Sequence, residues 1–292
     1  MNDYLIADIR LRSDRDLVEM GLRGFKPFAT ECSGEAACTL EFVDTVDVAS
    51  LGSLRTLSES YIADSNSDSA FYATENGYLY SIVSRNENQQ PALFYIDTTT
   101  HKVVTDIKPT DGISLAVLRF GIWVMFGTVI LEYNAVAIHS SVIVAEGRGV
   151  LFLGESGTGK STHTRLWREN IEGARLLNDD SPIVRIVDGQ VRVYGSPWSG
   201  KTPCYKNEVY PMAGLCRLSQ APHNRITRLS NLMAIGALLP SCPPIFAHDS
   251  VLQDMICSTV GNIVRGVKSY HLECLPNSEA AELSYNTIIR NE

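Results

Sequence analysis

Eight consecutive residues, Gly154-Glu155-Ser156-Gly157-Thr158-Gly159-Lys160-Ser161, follow the spacing G-x-x-x-x-G-K-[ST], and Thr162 extends the run. In that spacing the glycines let successive backbone N–H groups turn inward on phosphate oxygens. The lysine reaches the β and γ phosphates, and the hydroxyl meets Mg2+ at a helix N-terminus. The expected ligands are ATP and Mg2+. With glycine near 7% of residues, chance alone produces such a match in about one sequence of this length in a hundred, so context must decide. The chain contains its own control, because Gly195-Ser196-Pro197-Trp198-Ser199-Gly200-Lys201-Thr202 satisfies the same pattern. An apolar strand enters the first copy and a helix-compatible run leaves it. The second continues through Pro203-Cys204-Tyr205-Lys206-Asn207 to Pro211 without helical periodicity. The first copy is therefore read as a phosphate loop. The second is read as an ordered surface loop, with its Lys201 still a candidate to face the site.

Paired carboxylates come next. Asp179 and Asp180 end an apolar strand a short way beyond Lys160, which returns them to the same sheet edge. Beside a Mg-nucleotide, one carboxylate holds metal and the other accepts the proton of an attacking hydroxyl. His139 enters through a register argument. If Val136 to Ala145 pairs antiparallel with Val150 onward around a turn at 147 and 148, His139 lies opposite about Ser156. Arg217, at the end of an apolar strand, and Lys201 are candidate cations to offset charge on a transferring phosphoryl group. His163 and Arg165, on the helix after the loop, face either phosphate or solvent.

The elements that must position these groups form two blocks. Residues 1–108 read as a β-rich domain of short strands: Tyr4 to Leu11, Cys38 to Val46, Ala70 to Ala73, Tyr78 to Ser84, Ala92 to Ile96 and Lys102 to Ile107. Lys108-Pro109-Thr110-Asp111-Gly112 punctuates the chain, and Thr110 or Asp111 suits the cap of the apolar helix that follows. From there residues 109–292 read as a mixed α/β domain, with strands Val136 to Ala145 and Val150 to Leu153 flanking a turn at Glu146-Gly147-Arg148-Gly149. Beyond the loop come a helix Lys160 to about Ile171, a strand Ala174 to Leu177, a hairpin at Asp188-Gly189 and a strand Ala213 to Leu218. Helices Ser230 to Leu239 and Ser250 to Arg265, a strand Tyr270 to Leu275 and a helix from Ser278 complete it.

Composition removes several classes. The chain has 292 residues, 45% of them hydrophobic, with 25 Lys plus Arg against 33 Asp plus Glu for a net charge of −8. No long basic run is present, so nucleic acid is not an expected partner. Ile113 to Tyr133 is largely apolar but holds Arg119 and Glu132, and a charge at a bilayer centre costs a few kcal/mol. A buried helix running into a strand is expected there, with no membrane partner. The seven cysteines are scattered, without a C-x-x-C pair, as suits reduced, mostly buried thiols. The first ten residues carry acidic groups where a signal peptide needs basic ones. A cytoplasmic location is the expectation.

Three stretches together carry a family resemblance: Ala137-Ile138-His139, Gly154 to Ser161, and Leu177-Asn178-Asp179-Asp180. Over roughly residues 135 to 220 the chain resembles the HPr kinase/phosphorylase-like branch of P-loop proteins, which also contains ATP-dependent phosphoenolpyruvate carboxykinase. The resemblance implies an α/β P-loop kinase domain with a mixed sheet, a phosphotransferase activity and a divalent cation. By position it implies Asp179 as the catalytic base helped by His139, with Ser161 and Asp180 at the metal. It is also compatible with a homo-oligomer, a hexamer or a dimer. Thr162 stands where HPr kinases carry Glu, and the Arg-Gly-x-Gly signature has no counterpart, which speaks against HPr itself as the acceptor. A carboxykinase is nearly twice as long and needs further Arg, Lys and His groups. The expected activity is ATP-dependent transfer to a hydroxyl, of a protein serine or a serine-like small molecule. The alternatives are a nucleotide-binding regulatory protein, a reversible phosphorylase and a carboxykinase-like enzyme.

Overall fold

In the computed structural model the first residues already turn back on themselves, because Ala7 and Asp8 both adopt left-handed backbone angles, with φ of 52° and 58°. The single strand expected over Tyr4 to Leu11 is therefore a hairpin of β1 (Asn2–Ile6) and β2 (Ile9–Ser13). A two-residue turn with both φ positive usually announces itself by Asn-Gly or Asp-Gly, and Ala7-Asp8 gives no such signal. The structure describes residues 1–31, 34–62, 66–85, 90–200 and 202–290.

The chain divides into two units, Met1–Glu132 with Ile245–Gln253, and Tyr133–Pro244 with Asp254–Glu292. The first continues with β3 (Ala29–Thr30), β4 (Cys38–Phe42), β5 (Arg55–Ile62), β6 (Ser67–Ala73), β7 (Gly77–Ser84), β8 (Ala92–Asp97) and β9 (Lys102–Thr105). They form one sheet in the order β3-β1-β2-β4-β9-β8-β7-β6-β5. Strand β5 has no signature in the sequence, because it is an edge strand with mostly exposed residues and shows no apolar alternation.

Helix α1 (Gly112–Ile130) starts at an Asp111 cap, whose carboxylate accepts from Ser114 N while Ser114 Oγ bonds back. It packs on β7 and β8. Gly121 allows that approach, since a Cβ there would lie 2.2 Å from the Phe94 ring. The break expected after residue 108 consequently falls beyond this helix, at Glu132. The stretch Gly112–Tyr133 is long and apolar enough to cross a membrane, yet 61% of that window is buried within the fold. It ends in a 3-10 turn at Leu131–Tyr133.

The second unit comprises β10 (Ala135–Ala137), β11 (Ser140–Ala145), β12 (Arg148–Leu153), α2 (Lys160–Asn170), β13 (Arg175–Asp180), β14 (Ile183–Val187), β15 (Gln190–Tyr194) and β16 (Val209–Gln220). After these come β17 (Arg225–Arg228), α3 (Asn231–Leu238), α4 (Ser250–Gly266), β18 (Lys268–Cys274) and α5 (Ser278–Tyr285), with the first residues of α4 counted in the first unit. The sheet runs β10-β14-β15-β16-β12-β11-β13, with β18 beside β16 and β17 beside β18. Its core joins Phe152, Leu166, Trp167, Cys216, Leu218, Leu272 and Tyr285. Fully burying each such aromatic or large aliphatic group contributes about 1.5–3 kcal/mol, so α2 is fastened to the sheet along its whole apolar stripe.

Six cysteines are free among the described residues, and Cys32 lies outside them. Burial pushes the thiols of Cys38 and Cys242 up to about 12.

Gly121→Val would force a branched side chain into the Phe94 ring. Overpacking of this kind costs about 1–3 kcal/mol. A urea titration should show the corresponding fall in midpoint, and a midpoint unchanged from the unaltered protein would contradict the packing described.

Candidate functional site

Strand direction decides which side chains meet. β11 pairs antiparallel with β12 on one side and with β13 on the other, so β12 and β13 run the same way. β16 is parallel to β12, and β18 is parallel to β16. The carboxyl ends of these four strands, and the amino end of β11, therefore share one edge of the sheet. Open α/β sheets bind ligands at that edge.

The loop leaving β12 is tight. Thr158 N and Oγ1 both donate to Glu155 O, at 3.2 and 2.8 Å. Gly157 and Gly159 sit at φ of 83° and 101°, where side-chain-bearing residues are strained. Glu155 and Ser156 are exposed at the loop's apex. Lys160 opens α2 and folds back, donating to Gly154 O at 2.6 Å and Glu155 O at 3.3 Å. Burial lowers its pKa, and the charges of Asp179 and Asp180 work the other way.

His139 reaches this loop by a different register from the expected one. Ser141 pairs with Phe152, and Ala145 with Arg148, around a turn at Glu146-Gly147. The expected strand Val136 to Ala145 is broken at Ile138 and His139, whose N–H groups donate to Pro182 O and Ser241 O. The imidazole Nε2 lies 3.3 Å from Lys160 Nζ, and Nδ1 lies 3.2 Å from Asp180 Oδ1. An ammonium only donates, so Nε2 accepts and the ring proton sits on Nδ1, facing Asp180.

The two carboxylates are engaged the other way round from the expected division. Asp180, not Asp179, meets His139. Asp179, not Asp180, meets Ser161, whose Oγ lies 3.5 Å from Asp179 Oδ2. The other oxygen of Asp179 accepts from Ser141 Oγ. Asp180 itself is held at φ 128°, a backbone region that costs about 1–3 kcal/mol for such a residue.

The second glycine-lysine motif is a surface loop only at its far end, where Gly200 and Thr202 are exposed. Tyr194 to Ser199 are buried, and Ser199 and Gly200 clamp the strand end, with Gly200 N donating to Asp179 O at 2.7 Å and Ser199 Oγ at 3.2 Å. Its glycines answer crowding, since a Cβ on Gly195 would lie 1.9 Å from Lys206 O and one on Gly200 3.2 Å from Asp180 Cβ. Neither has positive φ. Lys201 lies outside the described residues. Arg217 is exposed, with its Cα beside Leu153. Cys216 and Leu218 face the α2 core, so alternation turns Arg217 to the opposite face. No bond joins it to the grouped residues among those described.

Sequence reasoning passed over three positioning residues. Ser141 and Asn178 are fully buried. Asn178 Nδ2 donates to Trp198 O at 3.0 Å and its Oδ1 accepts from Ser181 N. Gln220 Nε2 donates to Gly157 O at 3.1 Å, bracing the loop. The only sequence signal was a polar residue interrupting an apolar strand. A cavity of about 560 Å³ adjoins the loop, bordered by Gly157, Gly159, Thr162, Leu166, Leu218 and Pro276 among others. A larger one, about 840 Å³, lies in the first unit near Asp106 and Ser114, and none of the grouped residues lines it.

The sequence matches no family model and no curated protein. Solved structures do match, among them the Hpr(Ser) kinase/phosphatase from Coxiella burnetii. That alignment covers 53% of this chain and 94% of that chain, at 14% identity and a TM-score of 0.30. The relationship is a distant structural one, and residue roles rest on the geometry above.

His163 faces neither phosphate nor solvent, whereas Arg165 is exposed and pairs with Glu169. The imidazole is buried against Phe152, with Ser284 Oγ at 3.0 Å and Trp167 Nε1 donating to it at 3.2 Å. Burial lowers its pKa to about 4. The folded protein thus resists protonation there. The stability is complete above the ordinary value near 6.5 and is lost as pH falls from there towards 4, by about 3 kcal/mol. Chemical unfolding at pH 7 and pH 4 should show His163→Gln losing less stability on acidification than the unaltered protein; equal losses would contradict the assignment.

Proposed function

We propose that the second unit transfers the γ-phosphoryl group of ATP to a hydroxyl, of a protein serine or a serine-like small molecule. The observation that carries the reading is the grouping of Lys160, His139 and Asp180 on one side and Ser161 and Asp179 on the other, all at the loop that opens α2. The loop's backbone N–H groups and the amino end of α2 suit an anion. Lys160 would exchange its carbonyl partners for phosphate oxygens.

Asp180 is proposed as the base. Its carboxylate takes the proton of the acceptor hydroxyl as the acceptor oxygen bonds to γ-phosphorus, and the bond from that phosphorus to the β–γ bridging oxygen breaks, releasing ADP. His139 holds Asp180 in place through Nδ1–H and ties it to Lys160. Charge compensation on the phosphates is supplied by Mg2+ when bound. Ser161 Oγ and Asp179 are the hard oxygen donors that fit it. A metal held by these two donors would complete its shell with phosphate and water.

The test compares three variants in ATP binding and in phosphate transfer to pooled hydroxyl compounds and protein lysate. Lys160→Ala should lose ATP binding. Asp180→Asn should keep ATP affinity within about threefold while turnover falls at least about a hundredfold. Asp179→Asn should raise the Mg2+ concentration needed by about tenfold or more. Unchanged turnover in Asp180→Asn would overturn its role as base, and ATP binding without transfer by the unaltered protein would favour a nucleotide sensor.

A further inference from the structure

The cavity beside the glycine-rich loop is continuous with it, since Gly157, Thr158, Gly159 and Thr162 line both. At about 560 Å³ it falls within the roughly 300–1,000 Å³ typical of small-molecule pockets. Its walls are largely apolar: Leu166 from α2, Leu218 from β16, Cys274 at the end of β18, and Ala221, Leu275 and Pro276 just beyond these strands. We infer that this cavity takes the nucleoside part of the triphosphate and grips its base by apolar contact without reading its hydrogen-bonding edge. The inference rests on the phosphate-site reading above.

Several of the polar groups around the cavity are engaged elsewhere. Ala221 N donates to Cys274 O at 3.1 Å, Leu275 N donates to Asn224 Oδ1 at 2.8 Å, and Pro276 has no N–H. Gln220 Nε2 is committed to Gly157 O, and Thr158 Oγ1 to Glu155 O. His163 Nε2 is tied to Ser284 and Trp167. Among the described side chains, the Thr162 hydroxyl, the Gln220 carbonyl oxygen and second N–H, His163 Nδ1, the Cys274 thiol and the acceptor side of Thr158 Oγ1 keep capacity for a ligand, between walls that are otherwise apolar. Adenine and guanine differ in amino, oxo and ring N–H groups. Sites that reject the wrong analogue strongly, by 10⁴ or more, do so by leaving buried polar partners unpaired, whereas apolar walls discriminate weakly. This protein is therefore expected to accept either purine triphosphate.

Calorimetric titration of the full chain with ATP, GTP and inorganic tripolyphosphate tests this. ATP and GTP should bind within about tenfold of each other. Cys274→Trp fills the cavity and should weaken both nucleotides at least tenfold while leaving tripolyphosphate within twofold. Tripolyphosphate binding also reports that the variant is folded, and Ala221→Trp is substituted if it is not. Unchanged ATP affinity in the filled variant, or a preference between ATP and GTP above a hundredfold, overturns the inference. Failure of tripolyphosphate to bind the unaltered protein is a different result, because it removes the phosphate site itself and the cavity's assignment with it.

Discussion

The antiparallel pairing of β11 with both of its neighbours is the constraint on which the site depends. It places β12 and β13 parallel, one strand apart, so the loop after β12 and the aspartates ending β13 must emerge at the same edge. The break in pairing before Ser140 then turns His139 towards that edge instead of continuing it in a ladder. A slip of one residue between β11 and β13 would send Asp179 and Asp180 to exchanged faces. Ser141, buried and bonded to Asp179, holds this register at the point where it matters. Asn178 does the same from the other side by fastening the 196–198 segment.

The energetics of this edge do not look like those of a structural ion pair. His139 and Asp180 have half-exposed side chains, 53% and 43%, and even a fully charged pair so exposed contributes only about 0–1 kcal/mol. The backbone of Asp180 costs about 1–3 kcal/mol at its φ. The second term is the larger, so the pair does not account for its own conformation. Its surroundings hold it: the buried Asn178 amide, the clamp by Ser199 and Gly200, and the core under α2. A rigid, apolar platform thus supports a small polar group that is locally unfavourable, as is common where geometry serves chemistry more than stability.

Much of this arrangement was legible in the residues. The glycine spacing, the apolar strand before it and the helical run after it mark the loop. The Asp pair ends a readable strand, and hairpin and cap signals such as Asp188-Gly189 and Asp111 sit where the chain turns or a helix starts. What was not legible depends on partners distant in sequence. The Ile138–His139 break is made by Pro182 and Ser241 carbonyls. The first half of the second glycine-lysine motif is buried, and its glycines accommodate the Lys206 carbonyl and the Asp180 side chain, a role that spacing alone cannot distinguish from phosphate binding. The exchange of partners between Asp179 and Asp180 follows from strand alternation at a bulge in β13, which no composition signal marks. α1 joins the first unit through a contact at Gly121, which the apolar run does not reveal.

Where ATP and metal sit among these residues decides the function of this edge. A crystal structure with a non-hydrolysable ATP analogue and Mn2+, with the metal located by its anomalous signal, is the direct measurement. The triphosphate is expected along Gly154 to Ser161, with Lys160 released from Gly154 O onto phosphate, and manganese on the side of Ser161 and Asp179 with Asp180 left facing His139. Nucleotide bound away from that loop, or manganese held by Asp180, would contradict this arrangement.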